Sequence, residues 1–519
     1  MPDSQPKFSA ASWAYHLLTD KPDRTLLIIQ GKKVSASALA EEVSLFRGAL
    51  NQSGIGADNI VAISCERSVS SVAAILACFC EGAIPFFVDP RQEHELLSKL
   101  LDAVRIHGLY CGTTLDATGF KARLPYLKWV GEGGAQTASK QTAAPESNAE
   151  GGFILHTSGA CGLPRAIQHS GPAIAWHTSA LNNALRLKPA LELWYTGTLA
   201  SPSVFALGFC AALSTGGILV LDDPQLQLAT VVRKTENQRI LLMSQFSDRS
   251  EWNAELLLAI KAKVTLVMCT DGPLSEPYAT TVTEATDAPA WNGLSLTEAA
   301  GFISINPVPG VWPAESAGRP IAGAEICIIG SEGKSVGHDH FGKLYYKNAP
   351  SPVKIISLTF QSKSEPASSW VATGDWAKLD ENDYLFITGC DKSSFYRAGF
   401  LVNAVSVEQT IRSIPTVVDA VVFAAPHDEV ENEVAAVILP KNGTVDFAQA
   451  IQSLSPSVPK YQLPERVSII EVIPRTPSGK VKRFGYLIPP RTAAQIAKDQ
   501  PAPEQSSAPV DEVNQSNQE

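Results

Sequence analysis

The apolar positions along the first 90 residues change period twice. In ALAEEVSLFRGAL (38–50) they recur at three- and four-residue intervals, which predicts an amphipathic helix, whereas NIVAIS (59–64) is a short continuous run expected of a buried strand. SVSSVAAILACFCEGA (68–83) follows as a buried helix and IPFFVDP (84–90) as a strand ending in a turn. Strands separated by helices predict a mixed or parallel sheet with helices on its faces, an α/β protein. Further strand-like runs are GGFILH (151–156), LELWYTGTL (191–199) and GGILVLDDP (216–224), with a loop expected over 131–152, where Gly, Ala, Ser, Thr and Gln dominate.

The pattern changes again near Gly389. VSVEQTIRSI (405–414) and DFAQAIQSLSP (446–456) are helix-like, and VVDAVVFAAP (417–426), NEVAAVILP (432–440) and RVSIIEVIP (466–474) strand-like, giving a compact module of about 100 residues. The last stretch, from Asp499, has almost no apolar content and is expected to be disordered. At 519 residues the chain is too long for one core, so a large multi-subdomain N-terminal domain of mixed sheets with flanking helices is expected beside a small α+β C-terminal one.

Charge narrows the partners. Charged residues are 18% of the chain, the net charge is -10 and no Lys/Arg run stands out, which argues against nucleic acid and for a small-molecule substrate. The N-terminus has no secretory pattern, and the longest apolar stretches, Ser71–Cys80 and Val204–Leu213, fall short of the roughly 18 residues of a membrane span, so a cytoplasmic protein is expected. Nine cysteines without CxxC spacing or neighbouring histidines suggest reduced thiols and no metal cluster.

Four segments carry candidate chemistry. TSGACGLPR (157–165) follows a strand; its small residues and glycines let N–H groups face an anion, and Arg165 adds a fixed charge. No GxxxxGK[ST] loop is present, which disfavours a P-loop ATPase. In NGLSLTE (292–298), Glu298 beside a triphosphate can bind Mg²⁺, although a Thr-Glu pair alone is more often a helix cap. Asp375 in TGD (373–375) can accept both hydroxyls of a ribose, although such a triplet alone is usually only a turn. PRTPSGK (474–480) presents Lys480 on a Pro/Gly-rich loop, where an ammonium can sit as a point charge between a carboxylate and a phosphate; an isolated lysine would be a solvated surface residue.

The order and spacing of these segments resemble the adenylate-forming superfamily of acyl-CoA synthetases, aryl-CoA ligases, luciferases and peptide-synthetase adenylation domains, from about Val34 to Leu487. SAGRPIAGAEICII (316–329) and GCDKSSFYRAGFLVNAVSVEQ (389–409) extend the match. The resemblance implies an adenylation core over 1–388, a hinge at 389–392 with Lys392 in the hinge position, a lid over 393–488 and a disordered tail over 489–519. It implies that Lys480 bridges the acyl carboxylate and the α-phosphate, with Thr297 and Glu298 as its catalytic companions and Glu298 on Mg²⁺. Thr157, Ser158, Gly159, Gly162 and Arg165 would face the phosphates, Leu294 the adenine and Asp375 the ribose.

Phe205, Asp271 and Gly272 would line the acyl pocket, which lacks an obvious basic residue and so suggests a neutral or apolar acid. Gly399 would line the thiol tunnel. The implied activity is ATP- and Mg²⁺-dependent activation of a carboxylic acid as acyl-AMP, then transfer to CoA or to the phosphopantetheine of a separate carrier protein, with secondary metabolism a natural setting. Departures are Ala160 and Cys161 at hydroxyl positions, Arg165 for lysine, Leu294 for an adenine-stacking aromatic, Ser295 for glycine, and Cys390 for an arginine. They keep two alternatives open: an amide-forming ligase with an amine acceptor, and a degenerate non-catalytic member.

Overall fold

The structure is a computed structural model that describes residues 8–113, 120, 128–130, 137–139, 152–159, 163–223, 238–244, 261, 263–270, 274, 276–307, 310, 312–347, 349–357, 370–390, 393–397, 400–412, 414–425, 432–441, 459–476 and 481–482. Met1–Phe484 form one compact unit and Gly485–Glu519 a second, the latter outside the described residues, as are the expected tail and the expected 446–456 helix.

The early periodicities become alternating strands and helices. Helix Ala36–Gln52, strand Ile60–Ser64, helix Val69–Cys80 and strand Ile84–Val88 follow one another as expected. Ser35 and Ser68 accept N–H bonds at the starts of the two helices, and the second is buried continuously from Ser71 to Phe79 because it lies inside the largest apolar cluster. Ile60–Ser64 pairs in parallel with Ile84–Val88 and with Gly108–Tyr110, within an eight-stranded sheet whose other side carries the antiparallel pair Gly152–His156 and Arg165–Ser170. A second, nine-stranded sheet contains Glu192–Tyr195, Ile218–Val220 and Leu266–Thr270, continues into the hairpin Ala290–Leu296/Gly301–Ile305 and ends on the short strand Arg319–Pro320. The sheets are mixed, as the sequence predicts.

The loop expected over 131–152 includes a strand, Thr137–Ser139, paired antiparallel with Gly108–Tyr110. Sheet-edge pairing overrides the weak intrinsic preference of such small polar residues. The apolar run from Val204 to Leu213 is a π-helix over Phe205–Ala212. Gly208 lets it approach the sheet, since a Cβ there would lie 2.8 Å from Leu193 Cδ2 and 3.0 Å from Leu219 Cδ1.

In the C-terminal module, helix Ala404–Arg412 packs on strands Val417–Ala425, Glu433–Pro440 and Arg466–Ile469 around Val407, Ile411, Ala420, Val422, Val434 and Ala436. Asn403 ties it to strand Leu385–Cys390: its amide donates to the Thr388 carbonyl, while its Oδ1 accepts from Val405 N–H at 3.1 Å.

Candidate active site

The first motif is the tip of a hairpin. Thr157 N–H donates to the Arg165 carbonyl at 2.9 Å, and Arg165 N–H donates to Thr157 Oγ1 at 2.9 Å, so Thr157 closes the turn with both backbone and side chain. Gly159 takes the left-handed conformation (φ 71°) that such a tight tip needs. Ser158 and Gly159 are half-buried there; Gly162, like Ala160 and Cys161, lies outside the described residues.

Thr297 and Glu298 lie in the turn between strands Ala290–Leu296 and Gly301–Ile305, so the pair begins a hairpin turn and caps no helix. Ala300 N–H returns to the Thr297 carbonyl at 3.1 Å. Gly301 follows with φ 153°, and a Cβ on it would stand 2.3 Å from Ala206 Cβ and 2.8 Å from His177 Cε1. Three consecutive carbonyls of this turn are each held by a side chain from a different element. His169 Nε2–H donates to the Thr297 carbonyl at 2.8 Å, Tyr346 O–H to the Glu298 carbonyl at 2.9 Å, and His177 Nε2–H to the Ala299 carbonyl at 2.9 Å.

A carbonyl only accepts, so both histidines carry their proton on Nε2. Both Nδ1 atoms are buried with no hydrogen-bond partner among the described residues. Burial pushes His169 down to about 3 and His177 down to about 4, and it raises the Tyr346 phenol, with the Glu298 charge adding to the rise. None of the three belongs to a motif that marks a site in the sequence. His169 and His177, close after the 157–165 loop on an apolar background, were the available signal.

These histidines also set an acid limit on stability. Their folded pKa values lie below the ordinary 6.5, so the unfolded chain takes the proton first and stability present above pH 6.5 is lost as pH falls towards about 4. The expected loss is about 1.4 kcal/mol per pH unit for each histidine. Urea unfolding at pH 7 and pH 5 measures it: wild type should lose stability, and His177→Gln should show a shallower dependence. An equal slope in both would remove His177 from the account.

Arg165 and Glu298, expected at phosphate and metal respectively, meet each other: Arg165 Nη2 lies 2.5 Å from Glu298 Oε1, with Glu298 only 8% exposed. Among the described residues no group of three or more His, Cys, Asp or Glu could hold a metal. Mg²⁺ is commonly held through one or two carboxylates plus substrate phosphates, so Glu298 beside the 157–165 hairpin fits Mg²⁺ as the companion of a nucleotide, with no all-protein cage.

Thr373–Gly374–Asp375 is a bulge inside strand Val371–Leu379, which corrects the expectation of a turn. The register against Gly342–Lys347 runs from Lys343↔Trp376 to Tyr345↔Ala372, leaving three residues opposite Leu344. Gly374 supplies the required kink (φ 81°), and Thr373 Oγ1 accepts from Asp375 N–H at 3.0 Å. On the other side Asp375 pairs with Cys390 across the antiparallel ladder, so the ribose candidate and the arginine-to-cysteine position are direct neighbours.

Leu294 packs with two apolar clusters, around Leu344 and Leu385 and around Ile303 and Tyr346, which accounts for an aliphatic residue here. The Ser295 hydroxyl is buried without a partner among the described residues. Phe205 is fully buried, 4.3 Å from Phe153 and 5.2 Å from Phe87 between ring centroids, and presents no surface to a ligand in this structure. Asp271, Gly272, Lys392, Gly399 and Lys480 lie outside the described residues.

The base of the Lys480 loop is described. Arg475 and Val481 form an antiparallel bridge and Lys482 N–H donates to the Pro474 carbonyl at 2.9 Å, so the two segments that flank residues 477–480 are held side by side. Arg475 is anchored by Asp419, whose other oxygen accepts from Arg412 Nε at 2.6 Å. Arg475, Thr476 and Lys482 line a cleft of about 890 Å³ together with Ser158, Gly159 and Leu163 of the first hairpin and residues from Arg91 to Lys99. Lys482 Nζ lies 3.7 Å from Glu93 across it.

The first hairpin thus meets two elements, the Glu298 turn through Arg165 and, across the cleft, the paired segments that flank residues 477–480. The sequence model of the AMP-binding enzyme family matches residues 16–351, and that of the AMP-binding enzyme C-terminal domain matches 406–480; the chain belongs to this family. It is 23% identical over 514 residues to naringenin synthase of Pestalotiopsis fici, matching 93% of this chain but only 19% of that protein. It is 23% identical over 457 residues to the long-chain-fatty-acid–CoA ligase FadD13 of Mycobacterium tuberculosis, matching 82% of this chain and 87% of the relative. The fold matches that of ATP-bound MatB from Rhodopseudomonas palustris with a TM-score of 0.77, at 20% identity, over 92% of this chain and 98% of that one.

Proposed function

We propose that the protein joins a neutral or apolar carboxylic acid to AMP at the expense of ATP and then transfers the acyl group to the thiol of CoA or of a separate carrier protein's phosphopantetheine. The observation that carries this reading is the cleft that sets the base of the Lys480 loop opposite the Ser158–Gly159 tip. Family membership and the CoA ligase among the relatives support it.

A carboxylate oxygen attacks the α-phosphorus of ATP as the bond to pyrophosphate breaks, and the thiol sulfur later attacks the acyl carbon, releasing AMP. The chain's part is to position these groups and stabilise their charge. Lys480 spans carboxylate and α-phosphate, Thr157, Ser158, Gly159 and Gly162 hold the terminal phosphates, and Asp375 holds the ribose. Thr297 continues the turn that presents Glu298. Mg²⁺ held by Glu298 would supply charge neutralisation on the departing pyrophosphate.

The C-terminal module, hinged at 389–392 through Lys392, acts as the lid and brings Gly399 to the thiol path. Asp271 and Gly272 border the acyl site; Phe205 supports it from the core behind. Among the described residues no helix is long and apolar enough to cross a membrane. The setting we propose is a cytoplasmic enzyme of secondary metabolism.

Incubation with ATP, Mg²⁺ and a panel of aliphatic and aromatic acids, offering in turn CoA, a phosphopantetheinylated carrier and free amino acids, tests the acceptor. A thioester mass with either thiol is expected. Amides alone would replace the thiol with an amine, and no acyl product with any acid would favour a non-catalytic member.

A further inference from the structure

Arg165 and Glu298 are expected at the nucleotide's phosphates and at Mg²⁺ respectively, yet in this structure each occupies the other. The contact is short, 2.5 Å, and sheltered, with the side chains 33% and 11% exposed. A guanidinium stays charged at any physiological pH and forms its strongest bonds with carboxylates and phosphates. One arm of Arg165 is committed to Glu298, while its buried Nε–H has no partner among the described residues, so the cation has donor capacity left over. Backbone bonds fix Arg165 at the foot of the same hairpin whose tip lines the cleft. Glu298 is equally constrained, because His169, Tyr346 and His177 hold the carbonyls of its turn. The backbones are therefore set, and the side chains alone are left to exchange partners.

We propose that Arg165 is a shared counter-ion: it neutralises Glu298 while the site is empty and passes to the nucleotide's phosphates once Glu298 is engaged by Mg²⁺. This rests on the assignment of Glu298 to Mg²⁺ given above. The electrostatics favour such an exchange. A divalent cation on Glu298 is repelled by a guanidinium 2.5 Å from the same oxygen, and a triphosphate arriving without metal competes with Glu298 for the one guanidinium. Nucleotide and metal thereby become coupled through a single arginine, and metal-free ATP is discriminated against.

Calorimetric binding of a non-hydrolysable ATP analogue, in EDTA and in Mg²⁺, tests this with four full-length proteins: wild type, Glu298→Gln, Arg165→Gln and the double variant. Without metal, Glu298→Gln should bind about tenfold tighter than wild type, because Arg165 is released to the phosphates, and it should gain nothing further from Mg²⁺. The double variant should fall back to within about threefold of wild type in EDTA. Glu298→Ala repeats the comparison if the glutamine variant does not fold. An unchanged or weakened metal-free affinity in Glu298→Gln overturns the proposal. So does a gain that survives in the double variant, since mere removal of a repelling charge would then explain it. Wild type that fails to bind the analogue even with Mg²⁺ instead overturns the nucleotide reading itself.

Discussion

Replacing Lys480 by Ala is expected to reduce acid-dependent pyrophosphate release by about 10²–10³-fold, the usual cost of removing one preorganised charge from a developing anion. The flanking segments are held by the Arg475–Val481 bridge and by Arg475 on Asp419, neither of which involves residue 480, so the variant should fold as wild type does. Transfer of an acyl group from a supplied acyl adenylate to the thiol should survive largely intact, because that step no longer joins a carboxylate to the α-phosphate. Equal loss of both half-reactions would refute the role assigned to Lys480.

The second large effect is expected at Asp375. Its bulge is shaped by Gly374 and by the Thr373 hydroxyl, so Asp375→Ala keeps the backbone and removes the carboxylate alone. Charged hydrogen bonds contribute about 1.5–3 kcal/mol each, and two ribose hydroxyls are at stake, so the KM for ATP should rise roughly hundredfold. The KM for the acid should move little. Steady-state kinetics with each substrate varied separately decide it, and a loss shared equally between ATP and acid would point to a structural role. Cys390 is the residue paired with Asp375 across the ladder, where the resemblance expects an arginine, so the predicted effect rests on the carboxylate with no arginine at the paired position.

The alternation of elements was legible because buried strands and amphipathic helices impose different periods, and the segments from Ala38 to Val88 satisfied them without competition. Thr137–Ser139 was not legible, because its pairing with Gly108–Tyr110 and Lys128–Val130 is set by the sheet and not by its own side chains. The site motifs were legible as residue types at spacings, but not as geometry. Nothing in the text around 157–165 and 292–298 says that Arg165 and Glu298 meet, since they are brought together from two different sheets. The same holds for the three donors to the Thr297–Ala299 carbonyls, whose partners lie more than 45 residues away in sequence. In sequence TGD does not tell a turn from a bulge, because glycine's positive φ serves both; the two-sided register on Gly342–Lys347 and Leu385–Cys390 distinguishes them. Leu294 shows the converse: judged by its motif it is a missing aromatic, and judged by its packing it is a contact between two apolar clusters.

Acid-dependent exchange of labelled pyrophosphate into ATP tests the central claim most directly, because it reports acyl-AMP formation without requiring knowledge of the acceptor. With purified wild-type protein, Mg²⁺ and a panel of aliphatic and aromatic acids, the account predicts exchange above background with at least one acid, and its near-complete loss in Lys480→Ala. No exchange with any acid in the panel, from protein shown to bind the ATP analogue with Mg²⁺, would contradict it.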